Sequence, residues 1–131
     1  MFQIDSMSRT PIYEQLIDQL EKMIASGALR EGDQIPSVRA TSTELGINPV
    51  TILKSYTELD GRGLIRAVPG RGYFVCEGAK EILTENKMKD LGELSRIIGG
   101  MASLGVPREA IEEILDEAYR DPTQGKESDD K

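Results

Sequence analysis

The chain has 131 residues, 38% of them hydrophobic and only 5% aromatic, and carries a net charge of −7. This length allows one domain, or a small domain with an appendage, whose aliphatic core a partner subunit would help to stabilise. With no histidine and one cysteine, Cys76, the chain lacks the commonest general base, a Cys–His nucleophile, zinc-ligand spacing and an internal disulfide, which argues against an enzyme, a metal site and a cofactor.

Residues 1–8 read as an arm without the basic-then-apolar pattern of a signal peptide. No apolar run approaches the roughly 20 residues of a membrane span. Together with the lone cysteine, this implies a cytoplasmic protein with no membrane partner. Thr10-Pro11 predicts a helix start, with Thr as N-cap and Pro in the first turn. Ile12, Leu16, Leu20 and Met23/Ile24 then recur at helical spacing, and Gly27 closes the helix. REGDQIP predicts a turn with a short extended stretch.

Ser37 caps a second helix, SVRATSTEL, which Gly46 ends. Asn48-Pro49 repeats the cap-plus-proline start for a third, with Ile52, Tyr56 and Leu59 inward and Gly61 and Gly63 at its end. The β-prone runs Leu64–Val68 and Gly72–Cys76 flank Val68-Pro69-Gly70-Arg71, a type II turn sequence. Two helices followed by a hairpin predict a winged helix-turn-helix. From residue 79 the character changes. Met88, Leu91, Leu94, Ile98 and Met101 form a near-heptad seam, Gly105 and Pro107 interrupt it, and PREAIEEILDEAYR predicts a last helix. The expected fold is α+β, mostly α. A winged helix-turn-helix at 1–78 precedes a short two-helix dimerisation region at 79–120 and a disordered polar tail at 121–131.

A DNA-reading helix must fit the major groove and present polar groups near its N-terminus. With Ile52, Tyr56 and Leu59 inward, Val50, Thr51, Lys54 and Glu58 turn outward. Lys54 can donate to guanine or to a phosphate, or be an ordinary solvated lysine; Thr51 can meet a phosphate or a base edge; Val50 can pack on a thymine methyl. Arg39, one turn past the Ser37 cap, can clamp a phosphate or pair with Glu44 or Asp60. Arg71 at the hairpin tip can enter a minor groove or remain a solvated turn. The charge distribution agrees: residues 37–73 hold five cations against three anions, whereas 79–131 hold eight against thirteen.

PIYEQL, GALREGDQIPSVR, ELGINPVT and the run from TELDGRGLI to PGRGYFV occur in this order across residues 10–76. This segment resembles the DNA-binding domain of the GntR family of bacterial transcription regulators. The resemblance implies a winged helix-turn-helix that binds a palindromic double-stranded operator as a homodimer. It places the DNA contacts on Arg39, on Asn48, Pro49, Val50 and Thr51, on Leu53/Lys54, and on Arg71-Gly72, with Ser37 capping beside Arg39. Pro49 stands where members often carry Arg, and Leu53 where some carry a basic residue. Thr41-Ser42 stand where Leu and Ala are usual, a polar pair expected to weaken packing unless its hydroxyls bond back to the backbone. The short C-terminal part resembles the YtrA-type subgroup, which implies control of neighbouring transporter genes.

A small domain has little to bury Leu91, Leu94, Ile98 and Met101 against, so these predict a seam between two copies of the chain rather than a fold-back onto its own core. Gly99-Gly100 within it predicts a close crossing or kink, or else a loop. A small-molecule effector, if the protein takes one, would bind between subunits, since no polar groups converge within the sequence pattern. Cys76, at the end of a half-buried strand, is expected to pack rather than to sense oxidation. The leading reading is a dimeric, sequence-specific regulator, a repressor by expectation. The overall acidity and the missing arginines leave a second one, a winged-helix protein-interaction module without DNA.

Overall fold

Helix α1 spans Ile12–Ser26 and buries Leu16, Ile17, Leu20 and Ile24 along the predicted stripe. The computed structural model describes residues 2–122, so most of the expected tail at 121–131 lies outside the described residues. Gly27 closes α1 in the left-handed conformation at φ 85°, as a helix C-terminus favours. The start differs from expectation, because Pro11 rather than Thr10 is the N-cap residue and no side chain caps it. The Thr10 N–H donates to Ser8 Oγ, and its carbonyl accepts from Gln15 Nε2.

The first residues are likewise no free arm. Phe2 is buried in the core, and Ile4 packs against it. Gln15 Oε1 accepts from Asp5 N–H, and Gln15 Nε2 donates to the Asp5 carbonyl. Gln19 binds the two backbone groups of Gln3 in the same way. Two side-chain amides one turn apart thus supply the partners that an adjacent strand would otherwise supply.

Helix α2 is Val38–Leu45, α3 is Pro49–Gly61, and strands β1 (Ile65–Val68) and β2 (Gly72–Val75) form an antiparallel hairpin. Ser37 Oγ accepts from Ala40 N–H, and Asn48 Oδ1 accepts from Val50 N–H, so both predicted caps form. Helix α3 packs on α1, on α2 and on β1, with Ile52, Tyr56 and Leu59 fully buried. The backbone of residues 32–35 lines the outer edge of β2. Gly32 and Ile35 N–H groups donate to the Val75 and Tyr73 carbonyls, and Val75 N–H donates to the Asp33 carbonyl. The wing therefore has a third short strand in all but length.

Three helices follow: α4 (Ala79–Met88), α5 (Asp90–Ser103) and α6 (Arg108–Arg120). The chain divides into two compact units, one reaching to Asn86 and one starting at Lys87. The first unit runs past the expected boundary at 78 because α4 buries Ala79 and Leu83 in its core. The second holds α5 and α6, neither of which has a buried residue. The 88–101 seam is divided at Lys89, so Met88 ends α4 while Leu91, Leu94, Ile98 and Met101 share one face of α5. Gly99 and Gly100 are helical, with open space where a side chain would stand. No helix among the described residues is long and apolar enough to cross a membrane.

Candidate nucleic-acid interface

Burial along α3 alternates as a reading helix requires. Ile52, Tyr56 and Leu59 are at zero exposure, whereas Val50 is 71% and Leu53 45% exposed. Asn48, Pro49 and Lys54 are exposed too, and Thr51 is half-buried. An apolar pair left in water at a helix N-terminus, with a lysine one turn on, has no use in the core and suits contact with base edges.

The four other cations of this region do not share one fate. Arg62 is bound to the buried Glu21 carboxylate at 2.9 Å and lies 3.9 Å from Glu58. It is a tie between α1 and α3, and its charge is spent. Arg39, Arg66 and Arg71 are exposed, and no ion pair engages them among the described residues. Among the ion pairs of the described residues, none joins Arg39 to Glu44 or Asp60, the expected alternative for it. Lys54 has a partner that spacing could not reveal: its Nζ lies 3.8 Å from the ring centroid of Tyr13 in α1. The neighbouring Glu14 carboxylate, and then burial, push the Tyr13 phenol up from its ordinary pKa.

Thr41 and Ser42 find partners, which is why a polar pair is tolerated there. Tyr56 OH donates to the Pro36 carbonyl at 2.7 Å and so must accept from Thr41 Oγ1 at 3.0 Å. Ser42 Oγ donates to the Ile47 carbonyl at 2.5 Å, which holds the turn between α2 and α3. The Tyr56 ring also meets Tyr73 of β2 edge to face, with centroids 5.1 Å apart. One side chain thus joins α2, α3 and the wing.

At the wing tip, Arg71 N–H donates to the Val68 carbonyl and Gly70 has φ 76°, which closes the predicted type II turn. Gln34 Nε2 donates to the Arg71 carbonyl at 2.7 Å and pins the tip to the strand beside it. Gly72 makes room for that amide, since a Cβ there would stand 2.8 Å from Gln34 Nε2 on a backbone at φ 118°. Gly72→Ala is therefore expected to cost about 1–3 kcal/mol, measured as a lower urea midpoint. Adding Gln34→Ala should relieve the clash but not the backbone strain. Cys76 is half-buried, and burial pushes its thiol up more than Arg66 draws it down, as fits a packing role.

The model of bacterial regulatory proteins of the gntR family matches residues 12–75. The transcriptional repressor YtrA of Bacillus subtilis (strain 168) is 40% identical over 130 residues, 98% of this chain and 100% of that one. The chain belongs to the GntR family. Within this family it is of the YtrA type, and it is similar to the solved YtrA from Sulfolobus acidocaldarius, a GntR-family transcription factor. That protein superposes with a TM-score of 0.58 at 31% identity, covering 92% of this chain and 99% of the other. The DNA-binding domain of AraR, solved in complex with the operator ORE1, is 26% identical with a TM-score of 0.50, covering 58% of this chain and 93% of that one. GntR proteins are transcription regulators, not enzymes, and the winged helix-turn-helix of this one is a DNA-binding head. Pro49 and Leu53 bring no cation to α3, so Lys54 is the only positive side chain in that helix.

Proposed function

We propose that this GntR protein is a cytoplasmic repressor that binds a palindromic operator as a homodimer and controls transporter genes. The single observation that carries the DNA part is α3, whose Val50, Leu53 and Lys54 stand in solvent at the end that the Asn48 cap frees for a groove. Ser37, Arg39, Asn48, Pro49, Val50, Thr51, Leu53, Lys54, Arg71 and Gly72 form the proposed contact set. Ser37 and Asn48 act by setting the two helix N-termini, Gly72 by admitting the Gln34 staple, and Arg39 and Arg71 by charge. The repressor role and the transporter genes are supported by likeness to the YtrA repressor and its subgroup. An effector, if one acts here, would bind between the subunits.

The dimer is supported by α5. Leu91, Leu94 and Met101 are exposed and Ile98 half-buried, with bare backbone at Gly99 and Gly100 where a partner helix could come close. A palindrome requires two heads about one DNA turn apart. Anisotropy titration against duplexes selected from a randomised pool tests the DNA reading. Log affinity should fall with log salt at a slope of about 0.9 per neutralised phosphate. Lys54→Ala and Arg71→Ala should each weaken binding about threefold to tenfold, less than a bidentate arginine would. Unchanged affinity in both variants would remove these residues from the interface.

A further inference from the structure

We infer that Tyr13 is a positioning residue for DNA binding, its ring holding the Lys54 ammonium in place before the protein meets DNA. At 3.8 Å from the ring centroid, the ammonium lies well inside the roughly 6 Å reach of a cation–π contact. Tyr13 is itself held. It stands in the first turn of α1, and its carbonyl accepts a 3.0 Å bond from the buried hydroxyl of Ser55, the residue after Lys54 in α3. The same two helices are thus joined twice at one level, through the Tyr13 backbone and through its ring. The phenol hydroxyl is engaged elsewhere, donating to Glu14 Oε1 at 3.3 Å, which leaves the ring face as the part that acts on Lys54.

A solvated lysine gives up much rotamer freedom when it is fixed on a ligand. A ring face restricts that freedom on folding and leaves N–H donors of the ammonium pointing away from the ring, so less remains to be lost on binding. This matters more here than in a head with several arginines, because α3 carries no second cation. The inference rests on Lys54 being a DNA contact.

The test measures affinity for one duplex recovered from a randomised pool with the full chain as wild type, Tyr13→Leu, Tyr13→Phe, Lys54→Ala and the Tyr13→Leu/Lys54→Ala pair. Tyr13→Leu should weaken binding about threefold to fivefold, and Tyr13→Phe, which keeps the ring, less than about twofold. In the Lys54→Ala background Tyr13→Leu should have no further effect. In free wild type, the Lys54 ε-methylene protons should resonate upfield by the ring current, a signature kept in Tyr13→Phe and lost in Tyr13→Leu. Equal losses in both backgrounds, tighter binding without the ring, a loss in Tyr13→Phe matching Tyr13→Leu, or no upfield shift in wild type would each overturn the positioning role. No loss from Lys54→Ala would overturn it together with the place of Lys54 in the interface, and so separates the two failures.

Discussion

Replacing Leu94 and Ile98 together by aspartate is expected to yield a folded monomer whose hold on a palindromic operator falls by about a hundredfold or more. The argument starts from the single chain. Leu94 is half exposed and α5 buries nothing, so in the monomer both carboxylates meet water and cost little beyond the modest helix propensity of Asp. The first unit, with Leu16, Leu20, Ile52, Tyr56 and Leu59 in its core, contains neither residue. In a dimer that buries this face, each aspartate would lose water, at several kcal/mol per ion. Light scattering at micromolar concentration should therefore report half the wild-type mass, with far-UV circular dichroism retained. The DNA effect follows from geometry. Linked heads meet the second half-site at an effective concentration in the millimolar range, and a monomer forgoes that gain without losing any contact of its own. A variant that stays dimeric would remove the α5 face from the interface.

How much of the molecule was legible in the sequence follows the range of each interaction. Ser37, Asn48, Gly27, Gly46 and the Val68–Arg71 turn each act within a few residues, and all form as expected. The inward stripe of α3 was equally legible, because a 3.6-residue period is a local property. What escaped was bonding across long stretches of chain. Gln34 reaches the Arg71 carbonyl, Arg62 reaches Glu21, and Lys54 reaches Tyr13, each through about forty residues of sequence. No composition or spacing signal marks such pairs, since a surface Gln or Lys reads the same whether solvated or engaged. The docking of the N-terminal arm escaped for a related reason: its partners are the half-buried side-chain amides of Gln15 and Gln19 on α1. On this face the outward set on α3 was visible, but the division of the arginines into Arg62, tied to Glu21, and the exposed Arg39, Arg66 and Arg71 required the fold.

Tyr56→Phe is expected to destabilise the first unit by about 1–3 kcal/mol, although it removes a single oxygen. That oxygen is fully buried and makes two bonds, giving its proton to the Pro36 carbonyl and accepting one from Thr41. Its loss strands the Thr41 hydroxyl, itself at zero exposure, with no water to replace the acceptor. Thr41→Val in the same chain should therefore recover part of the loss, so that the double variant is more stable than the sum of the two single changes predicts. Urea unfolding at one fixed protein concentration measures this, the fixed concentration being needed because any self-association adds to apparent stability. Strict additivity would show that the two hydroxyls do not depend on each other. Tyr56→Ala goes further and should cost about 3–5 kcal/mol, because it also opens a cavity and removes the edge-to-face contact with Tyr73. Since Tyr73 belongs to the wing, DNA affinity should fall in Tyr56→Ala more than in Tyr56→Phe even where both remain folded. The ring carries the wing's placement, and the hydroxyl carries that of α2.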